Sequence, residues 1–115
     1  MSAIRTHDLI TYVDTDALEW EEVAPGARRK TLFKDPVTGQ RTLLVRWEAG
    51  FRRPDVDRHP NGEYVYILNG TCVDQNGPSG PGTYIHYGPG TEHQPSTPDG
   101  CTFLVVVPGD PPTDR

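Results

Sequence analysis

Glycine and proline interrupt this 115-residue chain 12 times each, and nothing between the interruptions holds a helical period. What is left is a series of short alternating runs, roughly 8–12 residues apart and closed by turn residues, the pattern of an all-β sandwich or barrel. Strands are expected over 29–33, 41–48, 63–68, 71–74, 83–87 and 101–107, an edge strand over 9–13, and an extended stretch over 57–59. Pro25-Gly26, the Asp35 to Gly39 stretch, Pro60-Asn61-Gly62 and Gly88-Pro89-Gly90 supply turns. Asn69-Gly70 reads as a tight hairpin turn, and 75–82 as a Gly/Pro-rich loop.

The length suits one domain. Residues 1–20 read as an N-terminal arm anchored by Trp20, 21–107 as the barrel and 108–115 as a flexible tail. Leu43, Val45 and Trp47 share one face of their strand. The run 101–107 is apolar on both faces. Phe103, Val105 and Val107 are expected inside, which leaves Leu104 and Val106 facing the arm or a second subunit. Tyr64 and Tyr66, opposite Glu63, Val65 and Ile67, raise the same need, so a homodimer is expected.

A formal net charge of −5 argues against a nucleic-acid partner. No apolar run reaches the roughly 18 residues of a membrane span, and the first residues hold no apolar signal core. The expectation is a cytoplasmic protein with no membrane partner. In a reducing compartment Cys72 and Cys101 are expected as free buried thiols.

Asp57, His59, Glu63 and His93 carry the chemistry. Asp57 and His59 share strand parity, and Glu63 shares it too if Gly62 keeps the phase. His93 follows the Gly-Pro-Gly turn. Imidazole and carboxylate donors together suit one divalent ion: Fe(II), Zn, Mn or Ni. The competing reading of 57–62 is a polar, solvated turn. Trp47, Tyr84 and His86 are expected to line a substrate pocket, although a partly exposed strand histidine is the more ordinary reading of His86. Arg46, Arg52, Arg53 and Arg58 read as solvated charges, of which one can hold an anionic substrate group.

These blocks resemble the cupin superfamily. His59, Glu63 and Gly70 fit its first motif, with Asp57 where the first His is usual and Gly50 one residue early. Gly82, Gly90 and His93 fit the second, with Gly88 in place of Pro and Thr97 in place of Asn. Trp20, Pro25-Gly26, Lys30-Thr31-Leu32, Thr42-Leu43-Leu44, Gly70-Thr71, Asp74, Gly82-Thr83-Tyr84 and 93–101 are similar to the ChrR-like cupins over about residues 10–107.

The resemblance implies a single-domain jelly-roll barrel with one divalent metal ion on Asp57, His59, Glu63 and His93. Fe(II) is favoured because the stand-alone members resemble acetylacetone-cleaving and dihydroxyacetophenone dioxygenases. The expected function is that of a non-haem-iron dioxygenase acting on a small carbonyl or enol substrate. The alternatives are a non-redox isomerase, cyclase or lyase, with Glu63 or Asp57 as the general base, and a metal-binding sensor related to anti-sigma-factor cupin domains. A cupin that has lost its ion and only binds a small molecule is the third reading, raised by Asp57. A direct anti-sigma role is not expected, since little chain precedes the barrel.

Overall fold

The computed structural model describes residues 2–109. Of the tail expected at 108–115, residues 110–115 lie outside the described residues; Gly109 offers its carbonyl to Asn61 Nδ2 at 2.9 Å. The chain begins with a hairpin, β1 (Ile4–His7) and β2 (Ile10–Val13). Its turn residues Asp8 and Leu9 both have positive φ, as a two-residue turn between twisted strands needs. A short 3₁₀ turn, Thr15–Ala17, follows. Lys30 ties this arm down: its Nζ donates to Thr15 O at 2.8 Å and lies 4.7 Å from the Trp20 ring centre. Trp20 is thus the expected anchor.

The body is a six-stranded antiparallel sheet in the order β10-β7-β12-β5-β4-β3. Its strands are β3 (Glu21–Ala24), β4 (Ala27–Lys34), β5 (Arg41–Trp47), β7 (Glu63–Gly70), β10 (Tyr84–Tyr87) and β12 (Cys101–Val107). Two ribbons complete the barrel: β6 (Asp57–His59) with β11 (Thr91–His93), and β8 (Cys72–Asp74) with β9 (Gly77–Ser79). Bridges from Ser96 to Arg52 and Val73 stitch the ribbons together.

β12 lies between β5 and β7 and is the axis of the core. Its buried Phe103, Val105 and Val107 meet Leu43, Trp47, Val65 and Ile67. Trp47 packs edge-on against Phe103 and tilted against Phe51, both with ring centres 5.0 Å away. Leu104 and Val106 are half-buried on the opposite face.

Several elements differ from the sequence expectation. β1, β3, β9 and β11 form where no strand is expected, because each pairs with another strand: β1 with β2, β3 with β4, β9 with β8 and β11 with β6. Asn69-Gly70 is no hairpin turn; β7 runs through it and pairs Gly70 with Cys101 of β12. Gly70 has φ +74, and a Cβ there would overlap the Gly100 carbonyl and lie 2.6 Å from Cys101 Cα. Glycine is required because two backbones touch.

Candidate metal centre

Register brings the ligand candidates together. On the β6–β11 ribbon, Asp57 faces His93 and His59 faces Thr91. Cross-strand partners project to the same face, so Asp57, His59 and His93 converge. Glu63 joins them by way of a tight turn in which Gly62 N donates to His59 O at 3.1 Å. Gly62 has φ +84, and a Cβ there would press to 2.8 Å from Tyr87 O. The same His59 carbonyl accepts from Gly90 N at 2.8 Å. The glycines bracketing the site therefore fix the backbone of its central histidine.

One ligand atom from each of Asp57, His59, Glu63 and His93 lies within 4.8 Å of the others. Asp57 Oδ2 stands 3.4 Å from His93 Nε2 and 3.7 Å from His59 Nε2, and Glu63 Oε2 stands 3.4 Å from His59 Nδ1. Ligands about 2.1 Å from one ion are separated by about 3.0 Å in octahedral cis positions and about 3.4 Å in a tetrahedron. His59, Glu63 and His93 are buried, yet neither ring nitrogen of His93 makes a hydrogen bond among the described residues. Buried imidazole nitrogens normally find partners. Donor type, spacing and burial thus all fit a divalent ion. His59 turns Nε2 toward Asp57 and Nδ1 toward Glu63, and one ion takes only one ring nitrogen.

Tyr87 forms a wall of the site, its ring centre 4.4 Å from that of His93 and 5.3 Å from that of His59. Its hydroxyl donates to Asp74 Oδ2 at 2.8 Å. Burial first, and then this bond to a carboxylate, push the phenol well above its ordinary pKa. Arg53 lies 3.8 Å from Asp57 Oδ1, the oxygen other than the one nearest the histidines.

Above the ligands opens a cavity of about 530 Å³ walled by Leu43, Val45, Trp47, Val65, Phe103 and Val105. Trp47 is among its lining residues. Tyr84 and His86 are not: Tyr84 is 60% exposed, and His86 stacks on Tyr64 outside the barrel, with ring centres 4.9 Å apart. Strand parity explains the correction. Tyr87 pairs with Glu63 and Ile85 with Val65, so the odd residues of β10 face inward. The position of Tyr87 two residues after Ile85 carried that signal. Cys72 also lines the cavity. It is a free thiol, as is Cys101, and its hydrogen bond to Cys101 together with burial raises its pKa. The same bond lowers that of Cys101.

An antiparallel jelly-roll barrel with a His/carboxylate cluster opening into an apolar interior defines a cupin. The model of the ChrR cupin-like domain matches residues 10–108, and the chain belongs to that family. Solved structures agree on the fold. An RmlC-like cupin from Shewanella frigidimarina superposes with a TM-score of 0.76 at 15% identity, covering 96% of this chain and 97% of that one. An acetylacetone dioxygenase from Acinetobacter johnsonii gives 0.71 at 14% identity, over 90% and 75%. The complex of Rhodobacter sphaeroides SigE with the anti-sigma ChrR gives 0.70 at 20% identity, over 80% of this chain and 50% of that one. Comparison with curated proteins gives no match. Among the described residues, no helix is long and apolar enough to cross a membrane.

Proposed function

We propose that the protein is a metal-dependent enzyme of small-molecule metabolism, a dioxygenase-like oxidoreductase acting on a small carbonyl or enol compound. The observation that carries this reading is the convergence of Asp57, His59, Glu63 and His93 beside a cavity that Asp57, Glu63 and His93 line, and whose remaining walls are mainly apolar side chains with arginines among them. A closed structural metal site has no such space above it. Fe(II) is the favoured ion; bound there, it supplies Lewis acidity and electron transfer to dioxygen.

The chain's own residues supply the rest. Trp47, Phe103 and Val65 exclude water from the bound substrate. Glu63 or Asp57 accepts the proton released when a carbonyl compound enolises. Tyr87 holds the histidine rings from one side. Tyr64, Tyr66 and Tyr84, exposed on the outer face of the sheet, serve a homodimer contact, and the protein works in the cytoplasm.

Asp57 favours a second reading. Two carboxylates beside two imidazoles make a harder, more anionic site than three imidazoles and one carboxylate. Such a site suits a non-redox isomerase or lyase holding Mn, Zn or Ni. The fold shared with ChrR is the ground for a third reading, a metal-dependent sensor. Elemental analysis of protein purified without chelator or nickel resin, followed by oxygen-uptake assays on β-dicarbonyls, separates the three. Stoichiometric iron with uptake supports the dioxygenase. Stoichiometric zinc or manganese without uptake overturns it in favour of the second or third reading. No metal after reconstitution overturns all three.

A further inference from the structure

The register lays the inner face of the main sheet out as a grid. Its deepest row runs Ile67–Phe103–Val45–Arg29 across β7, β12, β5 and β4. The next runs Val65–Val105–Leu43. The outermost runs from Glu63, one residue beyond the Tyr64–Val106 pair, through Val107 to Arg41. A ligand candidate thus stands at one edge of the grid and two arginines at the other, with aliphatic and aromatic side chains between them. Arg29 and Arg41 line the same cavity as Glu63 and His93. Two strand spacings, about 10 Å, separate the backbones of Glu63 and Arg41.

Charged side chains along an apolar wall are costly unless they serve an anion. Arg29 gives its Nε to Glu21 Oε1 at 2.8 Å while its side chain stays 33% exposed. One carboxylate occupies only part of a guanidinium that has five N–H donors in a planar fork. Arg41 shares strand parity with Leu43, Val45 and Trp47, and pairing with Val45 puts Arg29 on the same face.

We propose that Arg29 and Arg41 form a carboxylate-binding wall, and that the substrate is a small carbonyl compound bearing a distal carboxylate. Its carboxylate rests on the two guanidinium groups and its short stem crosses Leu43, Val45 and Val105. Its carbonyl end reaches Asp57, His59, Glu63 and His93. This deepens the metal-enzyme reading and rests on it.

The probe pair is 4,6-dioxoheptanoate and its neutral methyl ester, a β-dicarbonyl with and without the distal charge. Calorimetric titration of metal-loaded protein is expected to show the acid binding at least about tenfold more tightly than the ester, the gain from one charge-assisted contact. In the double variant Arg29→Gln, Arg41→Gln that preference is expected to vanish, with ester affinity and metal content unchanged. Equal affinities in the wild type, no binding by protein of full metal content, or a preference that survives in the double variant overturns the proposal. The wild-type comparison needs no variant to fold. If the wild type takes up no metal, the metal reading fails by itself. The same titration of metal-free protein then decides the wall: an arginine-dependent preference for the acid upholds it, and its absence overturns it.

Discussion

Asp57→Ala separates a bound carboxylate from a nearby one. Asp57 Oδ2 stands 3.4 Å from His93 Nε2 and 3.7 Å from His59 Nε2, the separation of two ligands on one ion. Removing a group that merely orients a ligand weakens metal binding by about 10–100-fold. Removing a ligand is expected to exceed about 100-fold, or about 2.7 kcal/mol. Binding to the folded state alone raises the melting temperature by the same linkage. At about 4 °C per kcal/mol for a domain of this size, the metal-induced rise shrinks by about 10 °C. The assay is thermal melting with and without saturating metal, beside a competition titration of affinity. Arg53→Gln is the control, since Arg53 stands 3.8 Å from the other oxygen, Oδ1; its effect is expected to stay within about 100-fold. A loss of about 100-fold or less in Asp57→Ala refutes the assignment of Asp57 as a ligand.

The remaining predictions concern the scaffold, and urea unfolding reads each of them. Gly70→Ala is expected to cost more than about 3 kcal/mol, because the new methyl meets the backbone of Gly100 and Cys101. Gly50→Ala, also at positive φ but with nothing within 4 Å, is expected to cost only the strain of about 1–2 kcal/mol. Ile67, fully buried, is expected to lose about 1 kcal/mol as Ile67→Val. Asp35 accepts from Val37 N at 2.8 Å and Thr38 N at 3.2 Å, and these bonds hold its carboxyl below the ordinary range. Its stabilisation is therefore present above the ordinary carboxylate pKa and lost as pH falls through the lowered one. Asp35→Ala is expected to be less stable than the wild type at neutral pH and to converge with it at strongly acidic pH.

What could be read from the residues depended on whether the signal was local. The strand 101–107 was visible to the residue because a run apolar but for Thr102 follows a glycine, and β12 spans Cys101–Val107. The parity of Leu43, Val45 and Trp47 was equally plain. β3 and β9 were not, since Glu21–Ala24 and Gly77–Ser79 form strands only against a partner. Asn69-Gly70 carried a strong local turn signal, yet the close approach of residues 100 and 101 decided its role. The four ligand candidates were legible because their spacing is set within two short blocks. Tyr87 shares parity with Ile85 and Arg41 with Leu43, so their direction was local too; that of Arg29 was not, because it follows from the register of β4 with β5.

The place of β12 has a consequence for how the protein is made. The last strand in sequence is the one inserted between β5 and β7. Until residues 101–107 have left the ribosome, both flanking strands present unpaired backbone edges and an uncovered apolar face. Hairpins such as β1–β2 can form early, but the sheet cannot close. Sheet closure therefore waits on β12, which brings the core and one wall of the metal pocket together.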